Sequence, residues 1–197
     1  MPPLSSPAPE RLDADDLPRL ETPRLLVRAL DRAEFALYLR DRARFAQTLR
    51  LAAVPEPLPE ETQHALEWLY DVGASLVGPQ FPWGTLWGVF VRSRNVEEAG
   101  APRFAGSICF KGAPIDGEAE VAYTTESALR NQGVMTEALG AVVRWASGRG
   151  DAATLAAETE FGAKASRRVL EKVGFHQTSD APFPLVDSIY WRLRLRG

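Results

Sequence analysis

The chain has 197 residues, 45% of them hydrophobic and 25% charged, with a formal net charge of −3. This is the balance of a globular protein large enough to bury a core without disulfides or metal, and the slight negative charge does not indicate a broad nucleic-acid-binding face. With a single cysteine, Cys109, no internal disulfide can form, and the two distant histidines, His64 and His176, make no metal constellation with it.

Residues 1–20 are rich in Pro, Ser, Ala and Asp and read as a flexible tail, which leaves 21–197 as one domain. The tail lacks the basic start and apolar stretch of a secretory signal. No apolar run reaches the roughly 18 residues of a membrane span, so the expected location is cytoplasmic, with no membrane partner. RLLVRAL (24–30) reads as the first strand, and Asp31 suits the N-cap of a helix over 32–41. In the next stretch Ala65, Leu66, Trp68 and Leu69 form an apolar stripe at helical spacing, closed by Gly73. A Pro- and Gly-rich loop spans 77–84. Strands follow at 85–92, 103–112 and 117–125, with RNVEEAGAP as a long hairpin loop and Asp116-Gly117 as a turn. A helix over 134–147, a strand over 154–159, a helix over 163–173 ended by Gly174, and a last strand over 188–196 complete the chain. This order is mixed α/β, of the α+β kind, and is neither a doubly wound sheet nor a barrel.

The segment LRNQGVMTEAL (129–139) sits between a strand and a helix that lacks an ordinary capping serine. The first turn of a helix carries unpaired N–H groups and partial positive charge. Gly133 lets a ligand approach the backbone, and Arg130 can donate a charge-assisted hydrogen bond to a phosphate. The segment is either a diphosphate cradle or a plain turn. The chain has neither GxxxxGK[ST] nor GxGxxG, which removes support for a P-loop or a Rossmann site.

Arg130-Asn131-Gln132-Gly133-Val134-Met135 resembles the R/Q-x-x-G-x-G/A signature of the GNAT superfamily of acetyl-CoA-dependent N-acetyltransferases. ETPRLLVRAL (21–30) resembles the first strand of the branch that acetylates ribosomal-protein N-termini. GSICFKG and GEAEVAYTT resemble the central meander, and KASRRVLEKVGF (164–175) the downstream helix and turn. The resemblance implies a single mixed, mostly antiparallel twisted sheet flanked by helices. It implies acetyl-CoA as cosubstrate, with the pantetheine arm in a gap beside Val121, Ala122 and Tyr123. It assigns the diphosphate to Arg130, Asn131, Gln132, Gly133, Val134, Met135 and Thr136. The sequence departs from the pattern in three places. Met135 stands where glycine or alanine is usual and is expected to crowd the turn. Ala163 replaces an asparagine that contacts pantetheine. Leu170 replaces a tyrosine that protonates the thiolate in many relatives.

Amine acetylation needs a neutral amine. With an unperturbed pKa near ~10.4, roughly one lysine-like amine in a few thousand is neutral at pH 7, so a base helps. Glu120 matches a position that carries a catalytic glutamate in some members, and the alternative is an ion pair with an arginine across the sheet. Glu118, Glu158 and Glu160 are further carboxylate candidates. Ser166 matches a serine of the ribosomal branch that approaches the sulfur, or else it faces solvent. Tyr123 is either a core residue or a cleft hydroxyl. Cys109, in an apolar strand without a nearby histidine, reads as a small hydrophobe and not a nucleophile. Trp68, Trp83 and Trp87 read as core, with Trp83 alternatively lining an acceptor pocket.

The expected reaction is direct acetyl transfer from acetyl-CoA to a primary amine, either a protein N-terminus or a small molecule, with no acetyl-enzyme and no metal. No nucleic-acid partner is expected, and a homodimer is compatible with this reading. The alternative is a domain that binds or senses acyl-CoA without turning it over.

Overall fold

The computed structural model describes residues 16–92, 100–179 and 187–196. The strands are β1 (Arg19–Glu21), β2 (Leu25–Ala29), β3 (Leu86–Val91), β4 (Arg103–Phe110), β5 (Glu118–Thr125), β6 (Thr154–Glu160), β7 (His176–Thr178) and β8 (Ser188–Arg194). They form one sheet in the order β1-β2-β3-β4-β5-β6-β8-β7. Every neighbouring pair is antiparallel except β5–β6. The mixed, mostly antiparallel sheet expected from the sequence is therefore present. The sheet begins earlier than expected, because Leu17 is buried and Arg19 and Leu20, assigned to the tail, pair with β2. The rest of that tail, residues 1–15, and most of the hairpin loop before β4, residues 93–99, lie outside the described residues.

The helices are α1 (Arg32–Arg40), α2 (Arg42–Thr48), α3 (Glu60–Val72), α4 (Val134–Arg149) and α5 (Lys164–Val173). Asp31 caps α1 in a reciprocal box with Glu34. Asp41, expected as the last residue of α1, instead accepts the amide of Arg44 and starts α2, a helix that the sequence reading did not separate. One sheet face packs under α4 and α5, where Ala138, Leu139 and Val142 meet Val27, Phe110, Leu155 and Trp191. The other face packs under α1–α3, where Phe35, Tyr38, Phe45, Leu66 and Leu69 meet Leu86, Phe90 and Phe104.

One irregularity shapes the middle of the sheet. Val89 pairs with Gly106 but Phe90 pairs with Phe104, so Ala105 is an extra residue in β4. A bulge of this kind bends and twists its strand. Its carbonyl accepts the Glu126 amide at 3.0 Å, just past the end of β5. Gly106 adopts φ +142, and a Cβ there would lie 2.1 Å from the Thr124 carbonyl oxygen, so only glycine permits this approach. The far half of β5 is thus held against β4 through Thr125. Its pairing with β6 stops at Glu120 and Ala156, while β6 stays with β8 as far as Glu160. The two central strands therefore part and leave a wedge between them.

Candidate active site

The wedge exposes one edge of β5. The Lys111 amide donates to the Glu120 carbonyl at 2.8 Å, so Glu120 turns its peptide groups toward β4. Alternation along the strand then turns those of Val121 and Tyr123 into the wedge. After β5 comes the turn into α4. Asn131 has φ 58 and Gly133 has φ 74, both left-handed, and Gly133 caps α4 with no side-chain hydrogen bond. The first intrahelical bond runs from Glu137 N–H to the Gly133 carbonyl, which leaves the amides of Val134, Met135 and Thr136 pointing out of the helix end. Met135 is buried among core residues, so its bulk goes inward and the crowding of the turn expected from the sequence does not arise.

The turn is braced from behind. Arg24 Nε donates to Glu137 Oε2 at 2.6 Å, and Arg24 Nη1 donates to the Gln132 carbonyl at 3.0 Å. Glu137 Oε1 accepts from Thr22 Oγ1 at 2.5 Å and from the Arg24 amide at 3.1 Å. Partial burial works against ionisation of Glu137, but these hydrogen bonds from Thr22 and Arg24, with the Arg24 charge, outweigh it and hold the carboxyl below its usual range. The brace keeps the Glu137 charge from opposing an anion at the helix end.

Two grooves open on either side of the wedge. The first, about 730 Å³, is lined by the turn (Arg130, Asn131, Gly133, Val134, Met135, Thr136), by the end of β5 and by α5. Of the residues assigned to the diphosphate, only Gln132 does not line this groove. Its side chain donates to the Ala128 carbonyl, and it borders the space behind the turn. The second groove, about 540 Å³, runs between α3 and the diverging strands and includes Val121 and Ala122. Tyr123, Thr124 and Ser166 line both. The grooves differ in charge. The first carries Arg130, Arg168 and Lys172 with no carboxylate, whereas the second carries Glu61, Glu158 and Glu160 against Lys111. The chain's total of −3 conceals this separation.

Residues 24–176 match the family model described as an acetyltransferase (GNAT) domain. The chain belongs to the GNAT acetyltransferase family. Solved structures agree in fold. An acetyltransferase from Agrobacterium tumefaciens is 19% identical with a TM-score of 0.61, covering 95% of this chain and 99% of that one. RimL, a ribosomal L7/L12 alpha-N-protein acetyltransferase solved in complex with coenzyme A, is 18% identical with a TM-score of 0.58, covering 90% and 98%. The ribosomal-protein-S5-alanine acetyltransferase of Vibrio fischeri is 15% identical with a TM-score of 0.57, covering 90% and 96%. No curated protein matches the chain.

Within this GNAT domain the sequence candidates fall unevenly. Ser166 lies in the first turn of α5, half-buried, and its carbonyl accepts a hydrogen bond from Tyr123 Oη at 2.9 Å. That bond ties β5 to α5 across the wedge, and burial pushes the Tyr123 hydroxyl far above its usual range, so it stays protonated. Thr124 shares a 3.1 Å hydrogen bond with Ser107 on the floor of the second groove. Glu120 lines neither groove, and its carboxylate pairs with Lys111 Nζ; the partner is a lysine, and the arginine across the sheet, Arg192, pairs with Glu118 at 2.7 Å. Cys109 lines the second groove, but burial pushes its thiol up to about 12, only partly offset by Lys111, so it is not a ready nucleophile.

Of two tryptophans read as core, one keeps its expected place and one does not. Trp83 is fully buried, with its Nε1 donating to Asp151 at 3.1 Å, so the acceptor-pocket alternative for it fails. Trp68, read as core, is 55% exposed on the wall of the second groove. Leu170 is buried in the core, so its position offers no acid to a leaving thiolate. The sequence reading missed Arg168 and Lys172, although the spacing of 165, 168, 169 and 172 would have marked one stripe of α5. Among the described residues no group of three or more His, Cys, Asp or Glu is placed to hold a metal ion, and no helix is long and apolar enough to cross a membrane.

Proposed function

We propose that this domain transfers the acetyl group of acetyl-CoA directly to a primary amine, with the thioester where the two grooves meet. The observation that carries this reading is the junction itself, where Tyr123, Thr124 and Ser166 belong to both grooves. The cationic groove and the free amides at the start of α4 suit the phosphates of CoA, and the β5 edge at Val121 and Tyr123 offers peptide groups to the pantetheine amides. The carboxylate-lined groove suits an ammonium, which must lose a proton before it can attack.

The amine nitrogen bonds to the thioester carbonyl carbon, and the C–S bond breaks as the tetrahedral intermediate collapses. Glu158 and Glu160 line the acceptor groove and are better situated to receive the amine proton through water than Glu120, whose pairing supports a role in fixing Lys111. In this reading the Ser166 hydroxyl and the positive end of α5 stabilise the departing sulfur. Tyr123 holds that helix end in place. Ribosomal-protein acetyltransferases among the structural neighbours support a protein N-terminus as acceptor, with a small amine as the other class.

Buried Leu170 favours one second reading, a domain that binds acyl-CoA without turnover. The two are separated by incubating the full chain with acetyl-CoA and a panel of N-terminal peptides and small amines, following free thiol release and product mass. Thiol release matched by acetylated amine is expected, with no acetyl adduct on the protein. Binding without release by any amine would leave the second reading. A stoichiometric adduct on Cys109 would overturn direct transfer.

A further inference from the structure

α5 turns Ala165, Arg168, Val169 and Lys172 toward the cationic groove. Six of the chain's other cations, Arg24, Arg28, Arg92, Lys111, Arg149 and Arg192, are each paired with a carboxylate. Arg168 and Lys172 make no ion pair or hydrogen bond among the described residues, and no carboxylate lines the groove they face. From Ser166 to Lys172 the helix rises about 9 Å, so the two cations lead away from the junction. If the thioester sits at that junction, this is the side on which the nucleotide end of CoA must lie.

The turn already provides for a diphosphate, through the free amides of α4 and Arg130. Two further unneutralised cations on the opposite wall exceed what a diphosphate needs. CoA carries one more anionic group, the 3′-phosphate monoester on its ribose, which holds nearly two negative charges near neutral pH. We infer that Arg168 and Lys172 form a phosphomonoester subsite for this group. The subsite, which rests on the acetyl-CoA reading above, makes the domain select CoA thioesters over thioesters of dephospho-CoA or of pantetheine borne on a protein.

The test is calorimetric binding of CoA and of 3′-dephospho-CoA to the full chain and to its R168A/K172A variant. The two ligands share pantetheine and diphosphate and differ only in the third phosphate. The native chain should bind CoA about 10-fold or more tightly than dephospho-CoA, the effect of charge-assisted hydrogen bonds at a largely exposed site. That preference should shrink as salt is raised. The variant should bind both ligands with the affinity that the native chain has for dephospho-CoA. Unchanged dephospho-CoA affinity also verifies that the variant is folded. Equal binding of the two ligands by the native chain would overturn the subsite alone, as would a variant that weakens both equally. Failure of the native chain to bind either ligand would overturn the acetyl-CoA reading and the subsite with it.

Discussion

Replacing Gly133 separates the shape of the turn from its charge. Its φ of +74 lies in the left-handed region, where an L side chain costs about 1–2 kcal/mol. In a domain of this size each kcal/mol lowers Tm by about 2–4 °C. A Cβ at this position meets only Arg24 Nη2, at 3.5 Å, an ordinary contact. Gly133→Ala should therefore fold with a modest loss of Tm. Gly133→Asp should be about as stable as the alanine variant, because aspartate tolerates this backbone region. Binding should run the other way. A unit charge about 4 Å from a phosphate costs between about 1 and 4 kcal/mol as the effective dielectric constant falls from that of water to 20, and the exposed turn lies toward the lower figure. Acetyl-CoA affinity should then fall about 10-fold or more in Gly133→Asp and only slightly in Gly133→Ala. Thermal melts and calorimetry on the same samples would show the crossing. Equal affinities for acetyl-CoA in the two variants would refute the placement of phosphate at this turn.

Two further substitutions address the carboxylates. Glu120→Gln should lower turnover by less than 10-fold, since its carboxylate pairs with Lys111, whereas a fall of about 10²-fold that recovers at high pH would identify it as the base. Glu137→Gln should lose about 1–3 kcal/mol at pH 7 with the charged hydrogen bonds from Thr22 and Arg24. The folded pKa of Glu137 is lowered, so its contribution is complete above the unfolded value of about 4.3 and disappears as pH falls through the lower folded value. Melting curves of variant and native chain should therefore converge in acid, and a constant gap down to pH 2 would contradict this assignment.

What was legible in the sequence was local. Gly133 ahead of the apolar period of α4 marked the strand, turn and helix that form one wall of the cationic groove, and Gly174 marked the end of α5. The stripe containing Leu66 and Leu69 marked α3, but a stripe does not say where its edge lies, and Trp68 proved to be on the groove side. Asp41 could end one helix or begin the next, and it does both. The wedge between β5 and β6 was expected from family resemblance only. The Ala105 bulge and the contact between Gly106 and Thr124, which hold the far half of β5 against β4, appear only once strands distant in sequence are paired. Arg24 and Glu137 are 113 residues apart, and neither residue announces the other. The same holds for Glu120 and Lys111, whose pairing depends on the register of β4 against β5.

The opposite signs of the two grooves bear on how a turnover ends. Under the proposed reaction an ammonium enters among Glu61, Glu158 and Glu160 and leaves as an uncharged amide. The attraction that drew the acceptor in is extinguished by the bond that forms, so the acetylated product has no electrostatic reason to stay. CoA would undergo no such change, since losing its acetyl group would leave intact every phosphate that the proposed site holds beside Arg130, Arg168 and Lys172. Under that reaction the spent carrier should be the slower product to depart. Inhibition by accumulated product should come from free CoA competing with acetyl-CoA, while acetylated acceptor builds up without slowing the enzyme.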